Sequence, residues 1–185
     1  VIGPALGRID HVQHLAGARS RGGLVVVDPR ASATARLTED GAGIHLAVVP
    51  GSDLVVLLAL THVLVDEGLV DANYVVTRAS GWDAVRASVA RWWPERAEAV
   101  CGIPAETIRT VARMFATSRA AMILWGMGIS QHVHGTDNAR CLIALALSAG
   151  QIGHPGTGLH PLRGQNNVQG ASDSGLIPMM YPDYQ

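Results

Sequence analysis

Hydrophobic residues fall along this chain in short blocks that alternate between two patterns. Leu24-Val25-Val26-Val27 is a continuous apolar run set between Gly22-Gly23 and Asp28-Pro29-Arg30. That is the pattern of a strand buried on both faces and stopped by a proline. Leu46 to Val49 predicts a second, shorter strand, and Pro50-Gly51-Ser52-Asp53 a turn and helix N-cap. From Leu54 to Glu67 the residues are apolar on nearly every side and Gly68 follows, which predicts a well-buried helix. Ala121 to Trp125 predicts a third buried strand, closed by Gly126-Met127-Gly128. Helical spacing recurs at Ile9, Val12, Leu15 and Ala16, and again around Trp82, Val85 and Val89. A firmer helix is predicted from Pro104 to about Thr117, with Ile108, Val111, Ala112 and Phe115 in one stripe. Another starts at Thr136, with Leu142, Ile143 and Leu147 inward and Gly150 at its end. Beyond it the pattern dissolves: Gln151 to Gln185 holds six Gly and four Pro and predicts loop or irregular structure.

Buried strands alternating with helices predict an α/β fold, a three-layer, mostly parallel sheet with helices on both faces. Ligands in such folds bind where strands end and loops turn into helices. The polar clusters sit at those places.

Composition narrows the chemistry. The 185 residues carry 14 basic and 15 acidic side chains, a balance that argues against a nucleic-acid binder, which needs a cationic surplus. All 14 basic residues are Arg, so neither a lysine Schiff base nor a P-loop lysine is available. The longest apolar run, Leu54 to Leu60, is seven residues, against about 18 needed to span a bilayer, so no membrane insertion is expected. Cys101 and Cys141 lie forty residues apart without CxxC spacing and read as reduced thiols. An iron–sulfur cluster, which needs about four thiolates, cannot be held by this stretch alone. His132, His134, His154 and His160 are too irregularly spaced to predict a metal site. Apolar residues make up 48% and charged ones only 16%, which fits either an Ala/Arg-rich coding bias or a surface covered by other protein.

Four segments can carry chemistry. Asp28 and Arg30 at a strand end can hold a ribose diol or a purine amine and a phosphate, or form a plain turn with a surface ion pair. Gly51, Ser52 and Asp53 can present an open backbone and an anion-favouring helix start, or Asp53 can be an ordinary N-cap. Gly126, Met127 and Gly128, followed by Gln131 and His132, can lie along a flat heterocycle, or form a tight turn around a core Met. The stretch from Pro161 to Gly170 groups one guanidinium with four carboxamides between glycines, either an anion-reading site or a solvated loop. No GxGxxG follows a strand, so ordinary dinucleotide binding loses its main support.

Taken in order, these segments resemble a known family. Val27-Asp28-Pro29-Arg30, Pro50-Gly51-Ser52-Asp53, Trp125-Gly126-Met127-Gly128, Gln131-His132, Gly135-Thr136-Asp137-Asn138, Pro155-Gly156-Thr157-Gly158 and Arg163-Gly164-Gln165-Asn166-Asn167-Val168-Gln169-Gly170-Ala171 look like the catalytic subunit of a molybdenum- or tungsten-dependent formate dehydrogenase. That subunit belongs to the molybdopterin-guanine-dinucleotide oxidoreductases, the dimethyl sulfoxide reductase group, whose domain is Rossmann-like. The resemblance runs from about Arg19 to Gln185. It implies that Asp28, Arg30, Gly51, Ser52 and Asp53 hold the guanosine end of one dinucleotide. Gly126, Met127, Gly128, Gln131 and His132 would line its pterin and diphosphate side. Arg163 would sit at the metal and anchor formate as the catalytic residue, with Gly164 and Gln165 beside it on the cofactor. A bis-molybdopterin guanine dinucleotide with Mo or W is the implied cofactor, and two electrons would pass from formate to a 4Fe-4S cluster.

The family's cluster cysteines, its Cys or selenocysteine metal ligand and the neighbouring His find no match in these residues, and none of these residues is expected to ligate a metal. The chain is therefore expected to be a segment of a longer subunit, inactive alone and retaining no cofactor. Residues 1–163 would be the α/β cofactor-binding domain, partial at its N-terminus, and 164–185 a crossover into a neighbouring one. Expected partners are formate, the remaining domains of the subunit, and iron–sulfur or NAD-linked electron-transfer subunits. The expected location is cytoplasmic, or periplasmic if an export signal precedes the segment. A nitrate-reductase-like relative and a non-catalytic scaffold homologue are the alternatives.

Overall fold

The computed structural model describes residues 15–177 and 179–184. The helical spacing at Ile9 and Val12 lies outside those residues, while 15–19 are helical. Four strands follow, β1 (Leu24–Val27), β2 (Gly43–Leu46), β3 (Met122–Trp125) and β4 (Gly158–Pro161). The main helices are α1 (Asp53–Asp66), α2 (Ala72–Arg78), α3 (Trp82–Val89), α4 (Pro94–Cys101), α5 (Ala105–Thr117), α6 (Met127–Ser130), α7 (Gly135–Ser148) and α8 (Val168–Asp173). β1 pairs with β2 and β3 with β4, both parallel, so each pair presents its C-terminal ends together.

The predicted α/β architecture holds, and β1 shows how its layers arise. Its alternate residues face opposite ways. Val25 and Val27 pack on the main core, whereas Leu24 and Val26 are buried with Ala35 against Leu15 and Leu37. Protein therefore covers both faces of the strand, which is why the run is continuously apolar. The main core is built around α1, which packs against α3, α4, α5 and α7. Val56, Ala59, Leu60, Val63 and Leu64 of α1 are all buried, as its uniformly apolar sequence requires.

Several boundaries differ from expectation, each for a local reason. The second strand runs from Gly43 to Leu46, not from Leu46 to Val49. The Val48 amide turns back to the Leu46 carbonyl at 2.9 Å and ends the ladder. Gly43 lets the strands close, because a Cβ there would overlap the Leu24 carbonyl oxygen. Ile143 points outward, 42% exposed, because Asn138, Leu142, Leu145 and Ala149 form the inward stripe. It lines a cleft of about 120 Å³ with Val75, Trp82 and Leu147 instead. Gly126-Met127-Gly128 leads into the single helical turn α6, and the segment expected to be irregular contains β4 and α8. Helices α2 and α4 were not expected. Both carry local signals: Asp71 accepts from the Tyr74 amide at 2.8 Å, and α4 starts at Pro94 and stops at Gly102.

Leu64 is fully buried in the middle of this core. Leu64→Ala is expected to destabilise the fold by about 2–5 kcal/mol, measured by urea unfolding, because the surrounding helices cannot collapse into the space. At the surface, Arg113 grips Glu67 through two hydrogen bonds of 2.7 and 2.8 Å and ties α5 to the end of α1. The Arg113 guanidinium holds the Glu67 carboxyl below its usual range, chiefly through that hydrogen bond. A carboxyl whose pKa is lower folded than unfolded stabilises above its unfolded pKa and loses that contribution as pH falls through the folded one. Glu67→Gln should therefore flatten the acid side of the stability curve, by a small amount because the pair is half-exposed. Urea midpoints of mutant and parent that fall in parallel between neutral pH and about pH 3 would contradict this.

Candidate functional site

The rim of the site is formed where the strands end. After β1, the Asp28 amide continues the ladder to the Leu46 carbonyl at 3.2 Å. The chain then turns at Asp28, whose Oδ1 accepts from the Arg30 amide at 2.9 Å and Oδ2 from the Ser32 hydroxyl at 2.9 Å. Both carboxylate oxygens thus organise the loop, while the Arg30 side chain is exposed. Asp28 therefore shapes its own loop, the turn that the sequence left open beside ligand contact.

β2 leads through Val48 and Val49 to the start of α1. Gly51 sits at a φ of 85° with nothing within 4 Å of where a Cβ would be, so the backbone there is open to a neighbour. The Ser52 hydroxyl donates to the Val49 carbonyl at 2.6 Å and closes the turn. Asp53 is only 7% exposed, yet among the described residues no donor hydrogen-bonds its carboxylate. His132 Nε2 approaches its Oδ2 to 3.9 Å. The Asp53 carboxylate oxygens keep some contact with solvent, so an incoming donor can reach them at the rim.

His132 comes from the other strand pair. Its Nε2 also lies 2.7 Å from the Gly128 carbonyl, and opposite a carbonyl that nitrogen must be the donor. The Asp53–His132 approach therefore joins the α1 start to the α6 turn. Met127 is 52% exposed on that turn, and its Sδ lies 3.6 Å from where a Cβ on Gly164 would be. The Leu162 amide donates to the Trp125 carbonyl at 2.6 Å, so the ends of β3 and β4 are held side by side. Arg163, Gly164 and Gln165 follow at once and are exposed, as is Gln131. Among the described residues no acidic group pairs with the Arg163 guanidinium. Gly126 lies under the same junction, with the Leu162 carbonyl 3.4 Å from its Cβ position.

The structure thus brings Gly126, Met127, Gly128, His132, Arg163 and Gly164 into one neighbourhood and links it to Asp53, with Asp28 and Arg30 at the adjoining strand end. Among the described residues no group of three or more His, Cys, Asp and Glu could hold a metal ion. Burial raises the thiols of Cys101 and Cys141, and both are free.

Supporting residues were not foreseen. His45, half-buried on β2, places Nε2 2.8 Å from the Asp28 carbonyl. Gln151 clamps the entry of β3, accepting from the Ala121 amide and donating to the Ser118 carbonyl, both at 2.8 Å. Asn138, 2% exposed, donates to the Ile129 carbonyl at 2.9 Å and so anchors α6, while its Oδ1 is buried without a partner. Sequence offered one signal, a polar residue inside an apolar helical stripe.

A parallel α/β domain with its polar groups gathered at strand C-termini is a fold that holds ligands along that edge. Residues 13–179 match the molybdopterin oxidoreductase family, and the chain belongs to it. It is 42% identical over 93% of its length to "Formate dehydrogenase H" of Escherichia coli, covering 24% of that protein. It is 38% identical over 88% of its length to "F420-dependent formate dehydrogenase 2 subunit alpha" of Methanococcus maripaludis, covering 23% of it. A nitrate reductase of Synechocystis is 35% identical over 88% of this chain and 22% of that protein. Among solved structures, acetylene hydratase from Pelobacter acetylenicus matches at a TM-score of 0.72 and 25% identity, over 80% of this chain and 20% of that one. The chain spans about a quarter of the length of these relatives. The family implies a molybdopterin cofactor. The residues present suit such a group: Asp53 lacks a hydrogen-bond donor, Gly51 is uncovered, and exposed Arg30 and Arg163 flank the rim.

Asn138→Ala removes the donor to the Ile129 carbonyl and leaves that oxygen unpaired in the interior. It is expected to cost about 1–3 kcal/mol in thermal or urea unfolding. An unchanged midpoint would show that α6 is anchored by other contacts.

Proposed function

We propose that this chain is part of the catalytic subunit of a formate dehydrogenase, and that its rim holds one molybdopterin guanine dinucleotide. The observation that carries the reading is the meeting of separate motifs: Asp53 with His132, and Met127 with Gly164 next to Arg163. In this reading residues 1–163 form the cofactor-binding α/β domain and 164–185 lead towards a neighbouring one. The metal, Mo or W, and a 4Fe-4S cluster are held by parts of the subunit beyond this segment, and iron–sulfur or NAD-linked subunits accept the electrons.

Each rim residue then has a physical task. Asp53 accepts from the guanine edge, and the α1 N-terminus favours negative charge nearby. Arg30 offers a planar guanidinium to a phosphate or to the base. Gly51, Gly126, Gly128 and Gly164 allow close approach of the backbone, and Met127 supplies a soft apolar contact along the pterin. Gln131 and Gln165 donate hydrogen bonds from the edge, and His132, its Nε2–H given to the Gly128 carbonyl, lines the cofactor beside them. When bound, the cofactor supplies a two-electron acceptor at its metal. Arg163 binds the formate carboxylate through two parallel N–H groups and keeps compensating positive charge beside it. Formate leaves as carbon dioxide, releasing two electrons and one proton.

In the full-length subunit, Arg163→Lys should lower formate turnover by about tenfold to a hundredfold, because an ammonium cannot reproduce the bidentate fork. Formate-dependent dye reduction measures this, and unchanged kinetics would count against the assignment. The similarity to the Synechocystis nitrate reductase motivates the parallel assay. Nitrate reduction without formate oxidation would replace formate as the substrate.

A further inference from the structure

We propose that His45 is a positioning residue for the nucleotide end of the cofactor, acting through the loop from Asp28 to Ser32. The proposal rests on the reading that this loop faces the cofactor. His45 lies opposite Val26 in the parallel ladder, yet its ring reaches past the strand end to the Asp28 carbonyl, 2.8 Å from Nε2. A carbonyl oxygen only accepts, so Nε2 carries the proton and His45 is the donor. Asp28 is thereby fixed at three points. Its amide is held by Leu46, its carbonyl by His45, and its carboxylate by the Arg30 amide and the Ser32 hydroxyl. Ser32 Oγ in turn accepts from the Ala35 amide at 3.3 Å, tying the loop to the 3-10 turn at Ala35–Thr38.

These bonds fix the backbone from which Arg30 projects, and they leave the Arg30 guanidinium uncommitted and exposed. A flexible arginine held on a rigid loop loses less freedom on binding than one on a mobile loop. His45 therefore acts on affinity without touching the ligand. Only a donor placed near the Nε2 position can do this, and a glutamine amide reaches about as far.

The experiment uses the full-length subunit with the variants His45→Leu, His45→Gln, Arg30→Ala and Asp53→Ala. Guanosine nucleotide released by acid per subunit after gel filtration is measured beside the melting temperature. His45→Leu is expected to lower retained nucleotide roughly tenfold, the scale set by one unpaired interior carbonyl, and His45→Gln to restore most of it. Parent-level retention in His45→Leu, with Arg30→Ala and Asp53→Ala depleted, overturns the role of His45 and leaves the cofactor reading standing. A lowered melting temperature with normal nucleotide content, or a Gln variant no better than Leu, overturns it too. Parent-level retention in both Arg30→Ala and Asp53→Ala overturns the cofactor reading itself. Should His45→Leu fail to fold, Ser32→Ala loosens the same loop from its half-buried side, and parent-level retention there decides against the proposal.

Discussion

The burial of α1 is the constraint from which the rest follows. A helix apolar on nearly all sides can exist in water only if it is enclosed, and four helices and both strand pairs contribute to enclosing it. Once it is enclosed, its N-terminus has one place to go: the edge where β2 ends. Ser52 and Asp53 are carried there by the packing of residues farther along the helix, which leaves Asp53 largely buried at the edge. Core and site share one element.

The rim divides its polar groups into two kinds. Asp28, Ser32, His45, Ser52, Asn138 and Gln151 spend their hydrogen bonds on the backbone or, for Asp28 and Ser32, also on each other, and fix loop shape. Arg30, Asp53, Gln131 and Arg163 have no such commitment among the described residues. A binding edge assembled this way needs little rearrangement when a large ligand arrives, since the loops are already held in place. The apolar residues exposed near the end of the described chain, Leu176, Met179 and Tyr181 among them, fit a surface that other protein covers.

Much of this was legible in the sequence. Continuous apolar runs marked β1 and β3, and the all-round apolar stretch marked α1, whose burial leaves an unambiguous imprint; β3, expected to be buried, is only half-covered, with Met122 51% exposed at its start. The motif order pointed to the family. What escaped was governed by tertiary partners. β2 carries Gly43 and His45, which do not look like a buried strand until Leu24 lies against one and Asp28 accepts from the other. β4 reads Gly-Leu-His-Pro and becomes a strand because β3 offers it a ladder. Ile143 and Leu142 are neighbours in sequence but lie about 100° apart around a helix, and only the packing of α7 on α1 decides which one faces in. For Asp28 the sequence left ligand contact and a plain turn both open, and the loop's hydrogen bonds became visible only with Ser32 and the Arg30 amide in place.

Both strand pairs are parallel, and that has a kinetic meaning. Leu24 meets Gly43 across 19 residues and Met122 meets Gly158 across 36, so neither ladder can start from a tight hairpin. Each closure sacrifices chain entropy before its first hydrogen bond forms, whereas the helical turns need only near neighbours. The edge on which the strand tips converge therefore depends on contacts between distant parts of the chain, as the packing of α1 on α7 does, and no short segment can build it alone.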